Sequence, residues 1–202
     1  MLSTILFGLL SSLSPAVRLS NSKSSVVIGL EQMTLDRFIL LIKQNVDLLT
    51  LELLMNWMNS LYLSEDFISS YTAFINDPYS WQIIHQDGRC ELLNISWKEG
   101  QRSYIHNHDG QLAVIKMHSG KILSRRWKVV DTESGKELGE FMGEEMLSAG
   151  AVNGVAVDEA HELICLEDAV SIHCYTRPLS MVVTFDSITG QGRLEPAKLK
   201  LR

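Results

Sequence analysis

Histidine is the residue type of this sequence with the clearest capacity for chemistry. There are six histidines, and two of them, His106 and His108, are separated by a single residue. Side chains two positions apart on a β-strand leave the same face, so both imidazoles would project together. Neutral imidazole is a common ligand of iron, copper, nickel and zinc. The pair therefore predicts a metal site whose remaining ligands come from elsewhere in the chain.

A second group of polar side chains lies near the C-terminal end. Ser171, His173 and Tyr175 occupy alternate positions, so on a strand they share one face. A neutral histidine between two hydroxyl groups can donate to one and accept from the other. Such a row would fix the histidine tautomer and orient the tyrosine hydroxyl. The alternative is a packed polar row with no chemical role.

The sequence has two regions of different periodicity, and elements from both must position these groups. From about residue 30 to residue 75 the apolar residues recur at helical spacing, with Phe38, Ile42 and Val46 on one face. Thr34 and Ser64 precede acidic residues and are suited to begin helices. These segments predict helices that cover one face of a larger structure.

After Asn76 the segments become short, rich in β-branched and aromatic residues, and separated by turn signals. Asp87-Gly88 between two such runs predicts a hairpin. Ser119-Gly120, Ser134-Gly135 and Thr189-Gly190 predict further turns. Many short strands are typical of a sandwich or barrel.

Composition excludes several classes of function. The chain has 202 residues, enough for one well-buried core, and a net charge of −6. Nucleic acid and anionic membranes both need a basic partner, so neither is expected. Three cysteines without CxxC spacing argue against a disulfide framework and favour the cytoplasm. The apolar stretch at the N-terminus is too short to span a membrane and follows no basic segment, so we expect an N-terminal arm.

The surroundings of the histidine pair resemble a known motif. The segment Gly100-x5-His106-x-His108-x11-Gly120 resembles the first conserved motif of the cupin superfamily. In cupins a later strand supplies another histidine, and His161 is well placed for it. The usual glutamate ligand would fall at Ala113, which cannot bind a metal. The resemblance therefore implies a site of three histidines.

A three-histidine cupin resembles the cysteine dioxygenase family, and two further segments are similar to that family. These are Trp97–His108, which ends in the histidine pair, and Ser171–Tyr175, which matches its Ser-x-His-x-Tyr pattern. The resemblance covers roughly residues 79 to 190. It implies Fe(II) held by His106, His108 and His161, and oxidation of a small thiol by O2 to a sulfinic acid. It also implies that Tyr175 donates a hydrogen bond to the reacting species, with His173 and Ser171 behind it.

The substrate-binding positions depart from the family pattern. Trp81 falls at or beside the arginine that pairs with the substrate carboxylate, and Thr184 falls at the corresponding slot of related mercaptopropionate dioxygenases. Neither can form the bidentate clamp that arginine offers a carboxylate. Arg102, Arg89 and Arg177 are the candidate replacements. We assign Trp81 and Arg102 as the substrate-binding residues.

Together these patterns predict a mainly β fold, a cupin (jelly-roll) β-barrel with an N-terminal helical segment packed on it. We expect an arm over residues 1–29 and one cupin domain over residues 30–202, with a helical cover over 30–77 and the barrel over 78–202. The expected partners are a small thiol and O2, and the expected assembly is a monomer or weak homodimer. Two alternatives stay open. One is a cupin metalloenzyme acting on a non-thiol or carboxylate-free substrate, and the other is a non-catalytic cupin that binds a ligand or partner.

Overall fold

A computed structural model describes residues 32–76 and 78–197. The predicted mainly β class with N-terminal helices is confirmed, because strands account for most of the regular structure in these ranges. The predicted arm over residues 1–29 lies outside the described residues. Within the described ranges, no helix has the length and apolar character needed to cross a membrane.

Three short α-helices precede the strands, and each begins where a hydroxyl side chain accepts a hydrogen bond from a backbone amide three residues later. The capping residues are Thr34, Thr50 and Ser64. Capping satisfies an amide that the helix itself leaves unpaired. These α-helices are α1 (Leu35–Asn45), α2 (Leu51–Ser60) and α3 (Glu65–Ser70), and a short 3-10 helix (Val46–Leu48) follows α1.

The described residues form nine strands, and every ladder between them is antiparallel. The strands are β1 (Ser80–Gln86), β2 (Glu91–Trp97), β3 (Ile105–Asn107), β4 (Ala113–Thr132), β5 (Gly135–Ser148), β6 (Val152–Val155), β7 (Glu159–Tyr175), β8 (Met181–Phe185) and β9 (Gly192–Pro196).

Strand β7 is the centre of the sheet. It pairs with β4 along one edge, while its other edge pairs with β3 near its start and with β2 near its end. β8 and β9 continue the sheet beyond β3, and β5 and β6 continue it beyond β4. An isolated bridge between Glu137 and Gln191 links β5 to the chain just before β9. The sheet therefore curls until its two sides meet, which makes a barrel.

The two faces of β7 serve different cores. Val170, Ile172 and Cys174 point outward and pack against the helices, where Phe38 and Leu54 are completely buried. Burying one such large side chain stabilises the fold by roughly 1.5–3 kcal/mol. The helices thus cover the outer face of the barrel, as their apolar stripes predict. The opposite face of β7 is left for the barrel interior.

The Ser119-Gly120 pair is not a turn, and that prediction is wrong. Gly120 lies inside β4 at a positive φ of 75°, where the register against β7 shifts. A Cβ atom there would lie 2.6 Å from the Cα of Ala169 and would also collide with the carbonyl oxygen of Asp168. The glycine therefore permits a bulge and a close approach of two strands, which lets β4 continue.

The Asp87-Gly88 hairpin is confirmed by the β1–β2 ladder. One carboxylate oxygen of Asp87 accepts from the amides of Arg89 and Cys90 at 2.8 and 3.1 Å. The other oxygen contacts Lys43 Nζ at 2.6 Å and His85 Nε2 at 3.0 Å. Asp87 therefore shapes the turn and also ties it to α1.

Candidate metal centre

Three imidazoles converge inside the barrel. His106 lies on β3, His108 directly follows that strand, and His161 lies near the start of β7. Each offers one ring nitrogen such that the three nitrogens lie within 4.8 Å of one another. The ring centroids are separated by 4.6 to 5.0 Å. This is the spacing required of three side chains that share one ion.

In two of these rings the nitrogens have no hydrogen-bond partner among the described residues. These are His108 and His161, and both nitrogens of each ring are buried. An unsatisfied buried polar group costs about 1–3 kcal/mol. Burial holds the pKa of each ring well below its usual value, so both are neutral. A neutral imidazole with a free lone pair is the form that binds a metal, so these residues fit an ion.

His106 is oriented by its own segment. Its Nδ1 lies 2.9 Å from the carbonyl oxygen of Tyr104, so Nδ1 carries the proton and donates it. Burial lowers the pKa of His106, and the hydrogen bond to Tyr104 partly opposes this. The tautomer leaves Nε2 with the lone pair. Support of this kind is typical of metal-binding histidines.

The cluster contains no carboxylate among the described residues. Ala113, where the cupin motif would place a glutamate, instead pairs with Tyr175 across β4 and β7. Three neutral donors leave the charge of a bound divalent ion uncompensated. Such an ion favours an anionic further ligand and stabilises a thiolate over its thiol.

The polar row on β7 forms a continuous chain of hydrogen bonds. Ser171 Oγ lies 2.9 Å from His173 Nε2, and His173 Nδ1 lies 3.3 Å from the Tyr175 hydroxyl. All three residues are almost completely buried. The row is thus a connected relay inside the barrel, in contrast to a solvated polar face.

Trp97 on β2 adds a hydrogen-bond donor at the start of this relay. Its indole Nε1 donates to Ser171 Oγ at 2.9 Å, and indole can only donate. The Ser171 oxygen has a second lone pair, so its hydroxyl either donates to His173 Nε2 or accepts from it, according to the histidine tautomer. In the tautomer with the proton on Nδ1, that proton is donated to the oxygen of Tyr175, and the tyrosine proton is left free to donate elsewhere.

The relay ends beside the imidazole cluster. The rings of Tyr175 and His108 have centroids 5.3 Å apart. Burial raises the pKa of Tyr175 above its ordinary value and lowers the pKa of His173 to about 3. Both groups are therefore neutral near pH 7. The protonated tyrosine can act as a hydrogen-bond donor toward the cluster.

A cleft of about 1300 Å³ opens in front of His106 and Tyr175. Trp81, Arg102 and Thr184 all line it. Thr184 is the direct neighbour of His106 across β3 and β8. The structure therefore places both predicted substrate-binding residues, Trp81 and Arg102, on the cleft that His106 lines.

Arg102 is already paired within the protein. Its Nε donates to Glu162 Oε1 at 3.1 Å, and its Nη2 donates to the same oxygen. The other two candidate cations do not line the cleft. Arg89 lies in the β1–β2 turn, and Arg177 donates to the Asp109 carbonyl at 3.2 Å.

Two contacts of the site escape the sequence analysis. They are the indole of Trp97 on Ser171 and the carboxylate of Glu162 on Arg102. Each joins residues that are distant in the chain, so local periodicity carries no sign of it. Alternation indicates only that Glu162, which directly follows His161, faces the opposite side of β7 from the imidazole.

The sequence matches the family described as cysteine dioxygenase type I over residues 23–188. The chain therefore belongs to the cysteine dioxygenase family of cupins, and the predicted cupin barrel is confirmed.

Curated relatives are distant in sequence. Cysteine dioxygenase type 1 of Danio rerio is 25% identical over 148 residues, which span 71% of this chain and 74% of the relative. The Homo sapiens protein of the same name is 26% identical over 123 residues, spanning 59% of this chain and 62% of the relative.

Among solved structures, an RmlC-like cupin from Desulfovibrio desulfuricans is 13% identical, with a TM-score of 0.43 over 57% of this chain and 97% of that one. An RmlC-like cupin from Shewanella frigidimarina is 17% identical, with a TM-score of 0.41 over 52% of this chain and 80% of that one.

Proposed function

We propose that this protein is a non-haem iron(II) thiol dioxygenase that oxidises a small thiol to its sulfinic acid. His106, His108 and His161 would hold the iron. The observation that supports this most strongly is that two buried imidazoles, whose nitrogens have no hydrogen-bond partner among the described residues, belong to a cluster of three histidines next to Tyr175 of the relay. Membership of the cysteine dioxygenase family supports the same chemistry.

The reaction is balanced by the thiol and O2 alone. A thiol RSH and one O2 give RSO2H, and both oxygen atoms end on sulfur. Sulfur gives up four electrons, which the two oxygen atoms accept, so no other reductant is required. When bound, iron(II) would supply a Lewis acid that favours the thiolate and a centre that reacts with O2.

The side chains of the protein have distinct tasks in this reaction. The three imidazoles, from β3, its end and β7, would hold the ion, and His106 lines the cleft by which the thiol and O2 would enter. Tyr175 donates a hydrogen bond to negative charge that develops on the reacting atoms. Ser171 and His173 hold its hydroxyl in that orientation. Leu93, Ile95 and other apolar residues of the cleft exclude water.

The test is anaerobic loading with Fe(II), followed by metal analysis and oxygen uptake with a panel of thiols. We expect one iron per chain and one sulfinate formed per O2 consumed, as measured by mass spectrometry. Replacing His108 with Ala should abolish both iron binding and turnover. The matched control is His118→Ala, because His118 lies outside the cluster and its Nε2 is hydrogen-bonded to the exposed Glu65. Iron retention with full turnover in the His108 variant would refute the assignment.

A further inference from the structure

The charged residues that line the cleft, among those the structure describes, offer no free cation to an anionic substrate. They are Arg102, Arg125, Glu162, Asp186 and Glu195. Glu162 directly follows His161 on β7 and faces the opposite side of the strand, together with Arg102 and Arg125, which contact its carboxylate. The two that remain, Asp186 and Glu195, are both acidic.

Both arginines of the cleft are committed to carboxylates. Arg102 donates twice to Glu162, whose side chain is 7% exposed. Arg125 Nη1 lies 3.8 Å from the same carboxylate, and its Nε donates to Glu144 at 3.0 Å. Withdrawing Arg102 toward a substrate would leave Glu162 with the more distant Arg125. A nearly buried carboxylate that loses a paired cation is costly.

The cleft wall is apolar and aromatic. Tyr79, Trp81, Leu179 and Val182 line it, and Tyr79 stacks on Trp97 at a centroid distance of 4.0 Å. Trp81 pairs with Ile95 across β1 and β2. Burying a carboxylate against such a wall without a cation is strongly unfavourable. An indole face instead suits hydrocarbon or an ammonium group.

The residue of β8 that lies beside His106 is also uncharged. Thr184 pairs with His106 on one side and with Arg193 on the other, so the three residues form a row across β3, β8 and β9. The Thr184 hydroxyl donates to the Arg193 carbonyl at 3.5 Å. Arg193 itself is exposed and does not line the cleft.

We propose that the cleft takes a small thiol without a carboxylate, either neutral or carrying an ammonium group, with Trp81 packed against its non-sulfur end. This inference rests on the proposed thiol dioxygenase function and specifies its substrate class. The sulfur is oxidised by O2 in the balanced reaction given above, and the remainder of the molecule is unchanged. Arg102 then serves as a positioning residue for Glu162 and does not bind substrate.

The test compares small thiols that carry an ammonium, a hydroxyl or a carboxylate group at the end away from the sulfur. These are cysteamine, 2-mercaptoethanol and 3-mercaptopropionate, with L-cysteine and its methyl ester as a second matched pair. For iron-loaded protein we expect kcat/KM at least about 10-fold higher for the carboxylate-free member of each comparison. Isothermal titration under anaerobic conditions should give the same order of affinities without any turnover. An equal or higher kcat/KM for mercaptopropionate or cysteine would overturn the inference.

Three variants extend the comparison. Trp81→Arg should raise affinity for mercaptopropionate and lower it for cysteamine, and Trp81→Leu checks that the site tolerates loss of the indole. Arg193→Gln should leave the order of all thiols unchanged. If it instead abolishes turnover of an anionic thiol, Arg193 is a carboxylate clamp and the inference is wrong.

The two proposals fail in different ways. If thiols are oxidised but anionic ones are preferred, the substrate class is wrong and the dioxygenase function stands. If no thiol binds to or is oxidised by the iron-loaded protein, the dioxygenase function fails, and the substrate class fails with it.

Discussion

His106 on β3 and His161 on β7 are direct partners in an antiparallel ladder, and their ring centroids lie 4.6 Å apart. Paired residues on neighbouring strands share a face and bring their Cβ atoms to about 5 Å. The backbone register therefore positions His161, in contrast to a ligand carried on a loop. A slip of one residue in β7 would turn His161 to the other face of the sheet.

Metal binding should stabilise the fold through these rings. A ligand at 100 times its dissociation constant adds about 2.7 kcal/mol to the free energy of unfolding. Anaerobic thermal denaturation with Fe(II) should therefore show a higher midpoint than without it. In His161→Ala the increase should disappear, while His118→Ala should keep it. An undiminished increase in the His161 variant would show that the ion binds elsewhere.

Tyr175→Phe should reduce kcat while iron content stays the same. Removing one preorganised donor from a developing charge typically costs 10²- to 10³-fold in rate, and we expect about that loss. The measurement is oxygen uptake at saturating thiol, normalised to bound iron. Tyr62→Phe, at an exposed residue remote from the cleft, is the matched control. A fully active Tyr175 variant would remove the relay from the mechanism.

Alternation along a strand is what makes much of this site predictable. Positions 106 and 108, and positions 171, 173 and 175, share faces because side chains alternate, and this requires no knowledge of the rest of the fold. The helix starts at Thr34 and Ser64 are similarly local. The convergence of His161 on the pair is predicted only from a family resemblance, because the register between distant strands cannot be predicted from the sequence of either strand alone.

The wrong turn prediction at Gly120 and the unpredicted partner of Arg102 have a common physical origin. Ser119-Gly120 carries the composition of a turn, but Gly120 is needed because Asp168 and Ala169 of β7 approach it closely. Arg102 has the charge of a substrate clamp, and its pairing with Glu162 on β7 is a contact that its own segment does not indicate. In both cases a residue on β7 decides the outcome, and that contact is tertiary.

Gly120 and Gly110 form a matched pair for testing how closely β4 approaches β7 at Gly120. Both have a φ of 75°, but a Cβ at Gly110 would meet nothing within 4 Å. Gly110→Ala should therefore cost only the conformational penalty, about 1–2 kcal/mol. Gly120→Ala adds a collision with backbone and should cost at least about 3 kcal/mol in urea unfolding. Equal costs would contradict the close packing of β4 on β7.

Asp87 should make an acid-sensitive contribution to stability. Burial acts to raise its pKa, but hydrogen bonds from Lys43, His85 and two backbone amides hold the pKa well below its usual value. The folded state therefore releases this proton more readily than the unfolded state. The stabilisation is complete above an ordinary aspartate pKa of about 3.9 and is lost as pH falls through the lower folded value.

We accordingly expect Asp87→Asn to lower the free energy of unfolding by about 1 kcal/mol at pH 7, with the deficit shrinking below about pH 4. Urea titrations between pH 7 and pH 2 measure it. Asp131→Asn is the control, because its carboxylate also contacts a lysine, Lys136, but is 82% exposed. That change should stay within about 0.5 kcal/mol. A deficit for Asp87→Asn that is constant down to pH 2 would contradict the role of its charge.

Strand β7 begins next to one of the three imidazoles and ends at the relay tyrosine. Each residue added between them would move Tyr175 along the barrel by roughly 3.3 Å, and an odd number would also turn it outward. Insertions or deletions in this stretch therefore change the distance between the metal ligands and the proton donor in coarse steps only. Fine adjustment of that distance has to come from the neighbouring strands, through bulges such as the one at Gly120 in β4.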